Sequence, residues 1–207
     1  MKNILIIPIL FFLLGCAVGN QYDYASSPIV LPLKSTDSET LILHVQDLRP
    51  YVLNGKKKPN FVGIQRGGYG NPFDVTTTTG RPMTEDMADA MQNGLQNAGY
   101  RIVNVQGDID NNYLVSIAVK NGAFRIVLLK VHDWKSDIYM GTTLYCDLRL
   151  DVFDAKGELL SSNTMRFSEE IGGGQLGADK NSVYMADEFA KRIGYLFNKD
   201  EVRRALQ

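Results

Sequence analysis

The sequence predicts an α+β fold: a two-layer sandwich in which a mainly antiparallel sheet carries two amphipathic helices packed on one face. Three observations point there. Around residues 138–152, Ile138, Met140, Leu144, Cys146, Leu148, Leu150 and Val152 share one side of an alternating pattern, and Asp137, Tyr139, Thr143, Tyr145, Asp147, Arg149 and Asp151 share the other. Alternation of this kind fits a strand with one face on a core and one in water, as in antiparallel sheets. Residues 82–98 and 182–197 instead repeat their apolar side chains every three to four positions, the period of an amphipathic helix. Finally, 207 residues with 44% apolar and 22% charged side chains have an ordinary globular composition.

The N-terminus reads as an address. Met1-Lys2-Asn3 is a short basic start, and Ile4–Leu14 is an unbroken apolar run. That run is too short to span a bilayer, which takes roughly 20 residues, and it matches the apolar region of a secretory signal peptide. Leu13-Leu14-Gly15-Cys16 then resembles a bacterial lipobox. Acyl transfer at such a motif needs a thiol nucleophile, a small residue before the cut and an apolar approach lying in the membrane. Residues 1–15 are therefore expected to be a lipoprotein signal peptide. Cys16 is the expected lipidation site, S-diacylglycerated on its thiol and acylated on its new amino group, with palmitate as a probe of the modification. Two acyl chains already give stable anchoring. Ala17 stands where an Asp would hold an enterobacterial-type lipoprotein in the inner membrane, so an outer-membrane location with the domain facing the periplasm is expected.

Residues 16–40 are expected to form a lipidated tether and a first edge segment, with Pro28 and Pro32 blocking further pairing. Residues 41–207 are expected to form a single periplasmic α+β domain. Leu41–Val45 is strand-like. Residues 50–81 are heavily punctuated by Gly and Pro, with short strands predicted near 61–66 and 73–78. Lys56-Lys57-Lys58 is expected on a solvated turn, below the about four to eight basic residues of a lipid-reading cluster. The helix at 82–98 has Pro82 in its first turn, Glu85, Asp86 and Asp89 toward its N-terminus, and Gly99 as a left-handed cap. Its stripe is Met83, Met87, Met91, Leu95 and Ala98. Strands are predicted at 100–105, 113–119 and 124–131, with Asn121-Gly122 as a tight hairpin turn between the last two. The alternating strand turns at 154–157 into another at 158–171. A Gly-rich connection leads to the helix at 182–197, whose stripe is Ala186, Phe189, Ala190, Ile193, Leu196 and Phe197.

Lys and Arg total 22 against 23 Asp and Glu, so no basic excess exists to track a phosphate backbone, and a nucleic-acid binder is not expected. Gly172–Gly177 fits G-x-G-x-x-G, but about thirty residues remain after it, too few to complete a dinucleotide fold, so no nucleotide cofactor is expected. His44 and His132 are the two histidines. With neither HExxH nor CxxC present, no metal site is expected and no cofactor is assigned. Once Cys16 is acylated, Cys146 has no partner, and its place on the apolar strand face predicts a buried free thiol. No residue is assigned a catalytic role. The candidate partner-binding residues are Trp134, Tyr139, Tyr145 and Arg149. Trp134 is the sole tryptophan, set among Asp133, Lys135 and Asp137, and Trp, Tyr and Arg dominate interface hot spots.

The ensemble resembles the YajG-type lipoproteins of Gram-negative bacteria. The residues that carry the likeness are the lipobox at Cys16, Ser27-Pro28-Ile29-Val30-Leu31-Pro32, the helix ending Ala98-Gly99-Tyr100, the alternating strand closing with Asp154-Ala155-Lys156-Gly157-Glu158, and the terminal amphipathic helix. The resemblance implies location and fold rather than activity. The function expected is a non-catalytic binding or scaffolding component of the cell envelope, held to the membrane by its lipid and partnered by an envelope protein or cell-wall component. The alternative is an envelope enzyme acting on cell wall or glycan, which a deep cleft with convergent ionisable groups would signal.

Overall fold

The computed structural model describes residues 20–172 and 178–207. The elements run β1 (Gln21–Tyr22), β2 (Thr40–Asp47), α1 (Pro50–Leu53), β3 (Phe61–Arg66), β4 (Pro72–Thr77), α2 (Met83–Asn97), β5 (Arg101–Val105), α3 (Asn111–Lys120), β6 (Arg125–Ile138), β7 (Thr142–Asp154), β8 (Leu159–Glu170), α4 (Ala178–Phe197) and α5 (Asp200–Ala205). Cys16 and Gly173–Gly177 lie outside the described residues.

The eight strands make one sheet with β6 as its spine. Along one edge β6 pairs antiparallel with β7, which pairs antiparallel with β8. The other edge is shared. β2 runs parallel beside residues 125–131, and β3 runs parallel beside residues 136–138. Beyond β2 lies β5, also parallel; beyond β3 lies β4, antiparallel, with β1 added parallel to β4. The sheet is therefore mixed, which corrects the expectation of a mainly antiparallel one.

The reason lies in the connections. Parallel neighbours need a crossover of about a dozen residues or more, usually a helix. One crossover, β5 to β6, is made by α3, where a strand was expected. Tyr113, Val115, Ile117 and Val119 give residues 113–119 a strand-like alternation, yet tertiary packing overrides it. The Asp110 carboxylate caps the helix by accepting the Tyr113 N–H at 2.8 Å. Leu114 and Ala118 then bury against Ile42 and Ile126 on the far face of the sheet. Asn121-Gly122 terminates this helix rather than turning a hairpin; Gly122 takes φ +57° there.

The two predicted amphipathic helices do share one face. Met83, Met87, Met91 and Leu95 of α2 and Phe189, Ile193, Leu196 and Phe197 of α4 enter one core with Leu41, Leu43, Val127, Leu129, Leu148 and Leu150. The N-terminal segment enters it too. Tyr22 and Tyr24 are fully buried, and Ile29 and Leu33 nearly so. Ile29 lies so near α2 that a Cβ at Gly94 would meet its side chain at 2.8 Å. The expected first edge segment is β1, which lies at an end of the sheet beside β4, while Tyr22, Tyr24, Ile29 and Leu33 turn into the core.

The long alternating segment is two strands. β6 ends at Ile138, residues 139–141 turn, and β7 begins at Thr142. Its register also shifts between Val131 and Asp133. Before this bulge, Val127, Leu129 and Val131 face the helices; after it, Trp134, Ser136 and Ile138 do. One extra residue, His132, reverses which side chains point inward.

Candidate interaction surface

Among the described residues, α3 covers one end of the sheet face opposite α2 and α4, and α1 brings Tyr51 against Asp133 and Lys135. Over the rest, β3, β6, β7 and β8 present a ladder of charges and rings. Arg66 donates to both carboxylate oxygens of Asp137, at 2.8 and 2.6 Å. Lys135 pairs with Asp133 at 3.0 Å and lies over two rings, 5.0 Å from the centre of Tyr51 and 4.8 Å from that of Tyr145. Arg49, fully buried, grips Asp47 at 2.8 and 2.7 Å and donates to the carbonyls of Pro59 and Phe61. It thereby fixes α1, from which the Tyr51 hydroxyl donates to Asp133 at 2.8 Å. Burial, with Asp133 alongside, raises the Tyr51 hydroxyl well above its ordinary pKa.

Further along, Asp151 accepts from Arg149 at 2.8 Å and from Lys130 at 3.0 Å. Burial tends to raise its carboxyl, but hydrogen bonds from Arg149, Ser162 and Lys130 outweigh that and hold it below the ordinary carboxylate value. Arg166 on β8 faces Asp147 at 3.4 Å.

The predicted surface residues separate. Tyr145 and Arg149 share this face, half-buried. Tyr139 sits at the β6–β7 turn, 42% exposed. Trp134 does not reach the surface, which corrects its assignment to a partner-binding site. The bulge turns it into the core, where its indole N–H donates to the Tyr24 hydroxyl at 2.9 Å and its ring meets Tyr24 and Phe189 edge-on. Cys146 is buried beside it with a free thiol, as its strand face predicts, and burial pushes that thiol up to about 12.

Sequence reasoning missed the outer edge of β8, which among the described residues has β7 as its one strand neighbour. The Ile171 N–H bonds back to the Thr142 carbonyl of the neighbouring chain segment. Backbone direction alternates along a strand, so Thr164, Arg166, Ser168 and Glu170 aim their N–H and C=O groups away from β7. Lys199 confirms the phase by donating to the outward Ser162 carbonyl at 3.0 Å. Among the described residues, nothing bonds the outward groups of Thr164, Arg166 and Ser168. The signal was present in the largely polar, Pro-free run 161–170, but edge position is not a local property.

A concavity of about 270 Å³ opens where β2 and β5 end against the start of α2, lined in part by Asp47, Glu85 and Asp108. Asp47 is held by Arg49. His44 lies on the α3 side with its Nδ1 against the Val105 carbonyl at 2.8 Å, and burial lowers its pKa. Among the described residues, no three His, Cys, Asp or Glu side chains gather as a metal site.

No protein-family model matches the sequence, and no curated protein matches it. Solved structures do. A Xanthomonas campestris protein of the DUF330 family aligns with a TM-score of 0.54 at 9% identity, over 86% of this chain and 95% of that one. A dodecameric PelC variant from Paraburkholderia phytofirmans aligns at 0.44 and 11% identity, over 83% and 93%. Lipoprotein GNA1162 from Neisseria meningitidis aligns at 0.39 and 10% identity, over 77% and 98%. The chain thus shares its fold with the DUF330 protein. None of the three carries the YajG description.

Proposed function

We propose that the protein is a lipid-anchored, non-catalytic binding or scaffolding component of the bacterial cell envelope, held in the outer membrane with its domain in the periplasm. The lipobox at Cys16, Ala17 after it and the YajG-type resemblance support the anchoring half. The open edge of β8 carries the binding half. An edge with unpaired backbone groups recruits an extended segment as an added strand, with main-chain bonds supplying affinity. Arg166, Glu169 and Glu170 put charge along it, the device by which natural edges avoid pairing with copies of themselves. An extended segment of an envelope protein suits this edge better than a glycan, because its donors and acceptors repeat at the backbone spacing.

A photoreactive residue at Ser168 of the full-length, membrane-bound protein tests this in cells. The expected result is one dominant adduct, which disappears when Arg166→Pro removes an outward N–H. No adduct at Ser168, or an adduct indifferent to Arg166→Pro, overturns the edge as the binding site.

A further inference from the structure

The end of the sheet where the N-terminal segment arrives carries a feature that the binding role does not use. Gln21 pairs in parallel with Thr76, so the chain enters β1 from the side on which β4 begins at Pro72. β3 ends at that same side, because Arg66 pairs with Pro72. β6 ends there too, because Gln65 pairs in parallel with Ile138. The β3–β4 and β6–β7 turns are therefore neighbouring tips, joined by the Arg66–Asp137 ion pair.

These tips are apolar and wet. Tyr69 is 99% exposed and Phe73 36% on one; Met140 is 83% exposed and Tyr139 42% on the other. Isolated exposed apolar residues need no explanation, but several gathered at one end do. The covalent chain supplies it. Asn20 is buried, and its carbonyl accepts the Thr76 N–H at 3.2 Å. From Asn20 back to Cys16 are four residue steps, which span at most about 14 Å. An acylated Cys16 cannot hold the domain far from the bilayer. Pro72 lies four residues before Thr76, about 13 Å along the strand and toward the incoming chain.

We propose that the two tips dock on the phospholipid surface, with Tyr69, Phe73 and Tyr139 at the headgroup level and Met140 in the acyl boundary. This rests on the lipid-anchored reading of Cys16. Tyr rings favour the membrane interface, apolar body down and hydroxyl toward water. Arg66 is neutralised by Asp137, and Lys57, the middle of the triple lysine, is paired with Asp74. The Glu170 carboxylate lies beside Gly141 at the second tip and offers headgroup phosphates no attraction, so the contact is apolar rather than electrostatic, and it holds the long axis of β6 and β7 upright on the bilayer.

The test uses the full-length acylated protein, purified from membranes and reconstituted in vesicles of phosphatidylcholine with or without brominated acyl chains. Tyr69→Trp and Met140→Trp report the tips. Leu159→Trp reports the opposite end of β7 and β8, about 40 Å away at the rise of a strand. Buried Trp134 is a constant background, subtracted with the unsubstituted protein. Side chains seated about 5–10 Å into the boundary meet the bromines. Added emission at 69 and 140 should fall by more than half on brominated lipid, in low and high salt alike, while emission at 159 holds. Proteins that carry the acyl mass and float with vesicles, yet show no quenching at the tips or equal quenching at 159, overturn the docking and leave the anchor standing. Protein that lacks the acyl mass and does not float overturns the anchor, and this inference with it.

Discussion

Trp134 donates its indole N–H to the hydroxyl of Tyr24, 110 residues earlier, at 2.9 Å inside the core. The bond ties the central strand to the segment that follows β1. Both groups are buried and both rings meet Phe189 of α4. Trp134→Ala should cost roughly 3–5 kcal/mol of folding stability, the range for deleting a large buried aromatic. Tyr24→Phe should cost about 1–3 kcal/mol, because it leaves the indole N–H buried without a partner. Urea midpoints measure both. A Trp134→Ala protein as stable as wild type would remove Trp134 from the core.

The phase of β8 predicts an asymmetry between adjacent positions. Arg166→Pro removes an outward N–H and should leave a cooperative melt close to wild type, since proline is tolerated on the solvent side of an edge strand. Phe167→Pro removes an N–H directed at β7, within the Cys146–Phe167 pairing, and should destabilise severely. Equal losses at the two positions would mean that the strand faces its edges the other way.

Asp151 should make the fold acid-sensitive. Its folded pKa lies below the unfolded value of about 3.9, so its contribution is complete above that value and is lost as pH falls through the folded one. Asp151→Asn should cost about 1–2 kcal/mol near neutrality, less than a fully buried pair because Arg149 and Lys130 are part-solvated. The gap between variant and wild type should close below about pH 4. Guanidinium melts across pH 2–7 read it, and a constant gap would contradict the linkage.

Cys146 should be inert at neutral pH. Its thiol is buried and its folded pKa rises to about 12, so its contribution is fully present below the ordinary thiol value and fades as pH climbs toward the folded one. A thiol reagent should modify it slowly in the native protein and promptly in denaturant. Rapid native labelling would place it at the surface.

Cys16→Ser should abolish acylation, because the transfer needs a thiol. Labelled palmitate and membrane fractionation check this, and continued labelling of the serine protein would end the lipoprotein reading.

These sites differ in how far the sequence discloses them. The stripes of α2 and α4 and the inward place of Cys146 are local periodicities, and periodicity is what a chain displays openly. Trp134 is different. Alternation carried through from Val127, Leu129 and Val131 would turn Asp133 inward and Trp134 outward. The bulge at His132 inverts that, and it exists only because β7 fixes the register on both sides. α3 was hidden for a related reason: Asp110 and Gly122 mark its ends, but its β-branched interior becomes helical only against Ile42 and Ile126. Tyr22 and Tyr24 look like tether residues until the distant partners that bury them are in place.

That distance has a kinetic consequence. Tyr22 bonds Ser136 across 114 residues, and the Asp23 N–H bonds Ser182 across 159. Closing such loops costs entropy before any contact repays it, and chains dominated by distant pairings fold slowly. Tyr22 and Asp23 therefore wait for partners that are made more than a hundred residues later. While it emerges, Tyr22, Tyr24 and the inner faces of β6 and β7 have no α4 to cover them. A nascent chain in that condition exposes apolar surface that favours aggregation until α4 arrives.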